Sequence, residues 1–251
     1  MELHLAGKVA IVTGASRGIG RAIAEQLAAE GVQLVLAARS AETLQQVATA
    51  CNGQAVIFPA DLRDPQAPQR LIDFAIERFG TIDLLVNNAG ATRRGDFLQL
   101  SEADWEDGFA LKFFSTVRCS RAAWPHLVRS TGAIVNIVGV GGRTGDAEFA
   151  IGGAVNAALL NLTKVLAERG MAEGVKVNAI NPGLIATDRL QARIDQLAAA
   201  HNLDPAAAAT AMARNLGIPR IGQPAEIAAA VAFLASSASA STRKQLFDSP
   251  C

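Results

Sequence analysis

The sequence predicts an α/β fold: one domain over residues 1–251, with a doubly wound parallel sheet and helices on both of its faces. Three observations predict it. Short β-rich runs alternate with longer helical runs along the chain. The β-rich runs are continuously apolar rather than alternating, as strands covered on both faces must be. The chain has 251 residues, half of them hydrophobic, which is enough to bury one large core. Repeated strand–helix units imply right-handed crossovers.

The elements follow in order. "KVAIVTG" (8–14) reads as the first strand, and "GIGRAIAEQLAAEG" as an amphipathic helix ended by Gly31. "QLVLAAR" (33–39) is the second strand, followed by a helix from Ala41. "AVIFPAD" (55–61) is the third, followed by a helix from Pro65 to Phe79, Pro being well placed at a helix start. "IDLLVNNAG" (82–90) is the fourth strand, and Ser101 caps the long helix after it. "GAIVNIVG" (132–139), a helix opening near Phe149, and "VKVNAINPG" (175–183) complete a six-strand pattern. Residues 184–223 interrupt the rhythm with an Ala-rich helical insertion. An insertion at a strand's carboxyl end sits over the ligand crevice of such a sheet, so it is expected to act as a lid on substrate. "QPAEIAAAVAFLASSASA" forms a last helix. The ending, "STRKQLFDSPC", is polar and lacks strand alternation, so residues 239–251 are expected to form an atypical, truncated or altered tail that leaves the sheet edge uncovered.

Charge and composition exclude several function classes. Lys+Arg and Asp+Glu each number 23, so neither nucleic acid nor an anionic membrane finds electrostatic support. No apolar run approaches 18 residues, and the start, "MELHLAGKVAIVTGAS", does not read as a signal peptide. Cys51, Cys119 and Cys251 show no CxxC spacing and read as structural thiols of a cytoplasmic protein. His4, His126 and His201 lie in no metal-like spacing, so surface or cap roles and no metal are expected.

"TGASRGIG" (13–20) ends the first strand and opens the first helix. Gly14 permits the tight turn, Gly18 lets the backbone approach a pyrophosphate, and Gly20 lets helix and strand pack closely. The phosphates would meet the free N–H groups of the helix N-terminus.

This spacing, with the later "NNAG" (87–90) and "NPGLIAT" (181–187), resembles the short-chain dehydrogenase/reductase family over about residues 5–238. The resemblance implies a Rossmann-type fold and a nicotinamide cofactor in contact with Ser16 and Ile19 of the turn. It also implies that Asp61, next to Leu62, holds the adenine amine. Asn88, Ala89 and Gly90 would line the ribose and nicotinamide side. Pro182, Gly183, Ile185 and Thr187 would line the same cofactor, Ile185 and Thr187 at the carboxamide. The end of the second strand reads "LAARS", with Arg39 and no carboxylate, and Arg17 lies in the turn itself. Two guanidiniums suit a 2′-phosphate, so NADP(H) is expected over NAD(H).

Members of the family usually act through an Asn, a Ser, a Tyr and a Lys. This chain contains no Tyr. By spacing, the Asn position is Lys112, seven residues after Trp105, and the Ser position is Gly139. Anchoring on "LTK" (162–164) puts the Tyr position at Gly152, with Phe149 a second candidate, and the Lys position at Asn156. All four depart from the pattern, yet a cation and an amide have exchanged places. Trp105, Phe109, Lys112, Thr116 and Cys119 are expected on one helical stripe. The context "FALKFF" should bury Lys112 and lower its pKa, which would suit it to general acid–base work. Asn156 sits in an apolar helix and needs partners there: cofactor ribose, Lys112 or a carbonyl.

The leading expectation is an NADP(H)-dependent oxidoreductase for a small carbonyl or alcohol substrate, with Lys112 and Asn156 catalytic. The alternative is an inactive NADP(H)-binding sensor or partner subunit. Arg93, Arg94 and Arg143 leave strand ends and would suit an anionic substrate or ordinary solvation. The family resemblance implies assembly through the long helix and the one near residue 150. Small residues there (Gly152, Gly153, Ala154, Ala157, Ala158) would allow close helix approach, so a homodimer or homotetramer is expected.

Overall fold

Seven parallel strands form a single sheet in the computed structural model, which describes residues 2–215, 218–239 and 246–248. The strands are β1 (Val9–Thr13), β2 (Gln33–Ala38), β3 (Ala55–Pro59), β4 (Leu84–Asn87), β5 (Ala133–Ile137), β6 (Lys176–Asn181) and β7 (Leu246–Asp248). Their order across the sheet is β3-β2-β1-β4-β5-β6-β7, so the chain reverses direction between β1 and β4. That reversal opens the crevice at the strands' carboxyl ends.

Both faces are covered, which is why the strands are apolar throughout. Ala10, Val12, Leu34, Leu36, Leu84 and Val86 face one core, shared with α1 (Gly18–Ala29), α2 (Ala41–Ala50) and α9 (Pro224–Ala235). Ile11, Val35, Ala37, Leu85 and Ile134 face the other, under α3 (Ala67–Phe79), α5 (Ser115–Ser130) and α6 (Ala150–Glu173). The remaining helices are α4 (Glu102–Gly108), α7 (Asp188–His201) and α8 (Pro205–Asn215). α6 is long and apolar enough to cross a membrane by composition alone. It lies instead on β6 and buries Ile151, Val155, Leu159, Thr163 and Ala167.

Two expectations need correction. First, the ending of the chain does not leave β6 uncovered. β7 pairs with it in parallel, Ile180 opposite Phe247, and Phe247 packs on the core. A strand that pairs through its backbone at a sheet edge needs no alternation of side chains. Residues 240–245 and 249–251 of the tail, Cys251 among them, lie outside the described residues, as do residues 216–217 of the insertion. Second, the long helix is not one regular stripe. Ser101 caps it with a capping box closed by Asp104, as its sequence suggested. Residues Phe109–Phe114, however, form a π-helical segment between α4 and α5. The wider turn places Trp105 and Phe109 against Ile151 and Val155, while Cys119 faces the opposite cluster with Leu71 and Leu127. Lys112 sits within this wider turn.

Candidate active site

The glycine-rich turn is built by contacts that leave no room for side chains. Gly14 has φ +66°, a conformation that favours glycine. A Cβ on Gly20 would lie 2.2 Å from the Gly14 carbonyl oxygen and 2.5 Å from Asn88 Nδ2. Arg17 precedes α1 in an extended conformation, and no side chain caps the helix start. Its first N–H groups therefore face the crevice as an anion-binding end. Ser16 lies in the same turn, partly exposed, and Ile19 packs on the core.

Thr13 ties this turn to β4. Its Oγ1 accepts from the backbone N–H groups of Asn88 and Ala89 at 3.0 Å each, and donates to the Val86 carbonyl at 3.2 Å. Asn88 Nδ2 donates to the Thr13 and Gly14 carbonyls at 3.0 and 3.1 Å. Past the end of β3, Leu62 is buried and Asp61 is held by Arg63, which also binds Asp107 through Nη2 at 3.0 Å. Arg39 is exposed at the end of β2, and its charge helps to hold the Asp107 carboxyl below the usual range, after the hydrogen bond from Arg63.

On the far side, Pro182 and Gly183 leave β6, and the Pro182 carbonyl accepts from Val140 N–H at 3.2 Å. Ile185 is buried and bridges to Gly222. Thr187 caps α7, its Oγ1 accepting from Leu190 N–H at 3.4 Å, and its methyl group would lie 3.3 Å from a Cβ on Gly18. In the insertion, Leu190, Ile194, Ala198 and Ala208 pack with Leu184 into a small core of their own.

Lys112 and Asn156 meet within the crevice. Lys112 Nζ donates to Asn156 Oδ1 and to the Val138 carbonyl, both at 2.6 Å. Burial above all, and then the charge of Arg189, pull the Lys112 ammonium from its ordinary 10.5 down to about 7. Its stem lies on Gly90, where a Cβ would come within 2.9 Å of Lys112 Cδ. Asn156 is fully buried, wrapped by the glycines of the β5–α6 loop. A Cβ on Gly139 would lie 3.0 Å from Asn156 Nδ2, and one on Gly142 2.9 Å from Asn156 Cβ. The two candidates for the tyrosine position turn out to share one space. The Phe149 ring lies where a side chain from Gly152 would go, within 2.0 Å of its would-be Cβ.

The structure thus brings Lys112, Asn156, Gly90 and Gly139 together. Arg93 and Arg94 are instead spoken for, by Asp104 at 3.1 Å and Asp146 at 2.6 Å, and Arg94 also stacks on Phe149, 4.6 Å from its centroid. Sequence reasoning missed two contributors. Thr13 figured only as the first residue of the glycine-rich stretch, with no role of its own. Arg189, whose Nη2 donates to the Gly90 carbonyl at 3.0 Å, was not singled out at all.

Comparisons with known proteins agree on one family. A model described as short chain dehydrogenase matches residues 8–198. The 3-oxoacyl-(acyl-carrier-protein) reductase FabG of Vibrio cholerae is 35% identical over 235 residues, covering 93% of this chain and 92% of its own. The meso-2,3-butanediol dehydrogenase of Serratia marcescens is 33% identical, over 91% of this chain and 87% of its own. The L-sorbose reductase of Gluconobacter frateurii, solved with NADPH and L-sorbose, superposes with a TM-score of 0.94 at 28% identity, covering 99% and 97% of the two chains.

Proposed function

The chain belongs to the short-chain dehydrogenase family, and from that premise we propose that it is an NADP(H)-dependent oxidoreductase with a rearranged catalytic site, acting on a small carbonyl or alcohol. The cofactor fits the residues present. The turn from Gly14 to Gly20 is a cradle that any Cβ at Gly20 would fill, and the α1 N-terminus faces it. Gly14, Ser16, Arg17, Gly18, Ile19 and Gly20 would hold the phosphates. Arg39 and Arg17 would serve the 2′-phosphate, and Asp61 and Leu62 the adenine. Asn88, Ala89, Gly90, Pro182, Gly183, Ile185 and Thr187 would line the ribose and nicotinamide. When bound, the cofactor supplies or accepts the hydride.

The observation that carries this reading is the double hydrogen bond of Lys112 Nζ to Asn156 Oδ1 and the Val138 carbonyl. An ammonium has three N–H groups. Two are committed here, and the third is left for a substrate oxygen. In reduction Lys112 gives up that proton, and the neutral amine stays held by the same two acceptors. In oxidation the amine takes the proton back. A pKa of about 7 keeps both forms populated at neutral pH, as a general acid–base requires. Asn156 is a positioning residue that fixes Lys112 in the space between Gly139 and Gly90.

A second reading, a non-catalytic NADP(H) binder, is favoured by one observation: neither Gly139, Gly152 nor Phe149 offers a hydroxyl at the reacting centre. One experiment separates the two. The purified protein is titrated with NADPH and NADH by fluorescence, then assayed on a carbonyl panel beside Lys112→Ala. The first reading expects NADPH to bind more tightly than NADH. It also expects Lys112→Ala to lower kcat about 10²–10⁴-fold, with NADPH affinity kept. Parent reduction should fall as pH rises through about 7, because only the ammonium can donate. Turnover by neither protein establishes the second reading, and tighter NADH binding overturns the cofactor assignment.

The assembly we propose is a homodimer or homotetramer. A groove of about 550 Å³ lined by Phe97, Trp105, Phe109 and Phe114 opens beside α4. Phe97 and Phe114 are 60% and 44% exposed, and Ala154, Ala157 and Val165 are exposed on α6. A cytoplasmic setting suits Cys51 and Cys119, free thiols that burial pushes up to about 11 and about 12.

A further inference from the structure

Several arginines around the crevice face carboxylates, whereas among the described residues Arg189, like Arg17 and Arg39, forms no ion pair. Arg63 is held by Asp61 and Asp107, Arg93 by Asp104, and Arg94 by Asp146. Arg193, one turn further along α7, faces Asp146 and Glu148. Arg189 instead makes a single polar contact, from Nη2 to the Gly90 carbonyl, and among the described residues it forms no ion pair. A guanidinium carries five N–H donors in a planar fork, so most of its capacity is uncommitted.

Its neighbours deepen the imbalance. The Lys112 stem rests on the same glycine whose carbonyl Arg189 holds. The charges that act on the two side chains are positive: Arg189 on Lys112, and Arg17 on Arg189. Two cations thus flank Gly90 without a carboxylate between them. Like charges brought together in a partly desolvated crevice cost free energy that an arriving anion offsets.

We propose that Arg189 is the specificity-determining residue of this site, and that it binds the carboxylate of an anionic oxo-acid substrate whose carbonyl oxygen faces Lys112. The proposal deepens the oxidoreductase reading and rests on it. The planar fork of a guanidinium matches a carboxylate bidentately, one charge against one. The arrangement also links binding to chemistry. Burial is the main cause that disfavours the Lys112 ammonium, and the bound carboxylate offsets the lesser one, the charge of Arg189, so the substrate favours the protonated form that reduction needs. A neutral ketone leaves that charge in place.

The test uses the full chain saturated with NADP⁺, which cannot reduce the probes during the titration, and two pairs of probes matched in shape. The pairs are acetoacetate with pentane-2,4-dione, and pyruvate with butane-2,3-dione. Binding is read by calorimetry. The parent should bind at least one oxo acid tenfold or more tightly than its neutral partner. Arg189→Met should abolish that preference while leaving the NADPH Kd within about twofold, and Arg189→Lys should retain part of it. No preference in either pair overturns the proposal. So does a preference that survives in Arg189→Met, or a variant that loses NADPH instead, which would assign Arg189 to the cofactor's phosphates. Failure of the two readings is distinguishable. An Arg189-dependent preference without turnover removes the oxidoreductase reading and keeps the carboxylate site. Turnover of neutral ketones with no acid preference does the reverse.

Discussion

Lys112 shows how much one side chain's behaviour depends on what surrounds it. Its two acceptors are neutral oxygens, so nothing compensates the desolvation of the ammonium, and its pKa falls to about 7. A stability effect of known sign follows. In the unfolded chain the group returns to about 10.5. Below pH 7 both states hold the proton, and the fold bears the full cost of a buried charge. Between 7 and 10.5 the unfolded chain binds a proton that the fold does not, so stability rises with pH across that window. The melting temperature of cofactor-free Lys112→Met, relative to the parent, should therefore decline steadily from pH 7 to 10. A difference that stays constant with pH would show that Lys112 titrates normally. The sequence made Lys112 a candidate because "FALKFF" is apolar on both sides. It held no comparable sign for Arg189, which lies in a helix of mixed charge and meets Gly90 only through the fold.

At the scale of elements, the glycine-rich turn was legible because each of its glycines answers a steric demand that a strand-to-helix turn imposes. Gly20→Ala tests this. Its Cβ would fall 2.2 Å from the Gly14 oxygen, so the turn must open. The variant should lose about 1–3 kcal/mol of stability and bind NADPH at least tenfold more weakly, as followed by thermal melts and fluorescence titration. Gly145→Ala, which meets open space, should change neither. The π-helical segment at Phe109–Phe114 was not legible. Six apolar-rich residues fit a turn of either width, and packing against Ile151 and Val155 decides between them. β7 escaped notice for a different reason. Its partner is the backbone of β6, and a three-residue edge strand leaves too little side-chain pattern to read.

For the whole molecule, apolar surface remains on one side. Phe97, Leu98 and Phe114 are exposed beside the groove on α4, and a second copy would cover them. Light scattering at micromolar concentration should give the mass of a dimer or tetramer, and Phe114→Glu should shift the distribution toward monomer. A monomeric parent would contradict the assembly. The small residues of α6 do not act as one strip: Gly152 is buried under Phe149, while Ala154 and Ala157 face outward.

The sequence by itself determined the α/β class, the strands up to β6 and the glycine-rich turn. These are written in local pattern: apolar runs and glycines at fixed spacing. Only the tertiary structure decided that Lys112 and Asn156 touch, that Phe149 fills the space over Gly152, that β7 pairs with β6, and that Arg189 stands near Lys112 with no ion pair among the described residues. Each of these joins groups distant along the chain. Their contact depends on how helices and strands pack around the crevice, and local pattern does not encode that distance.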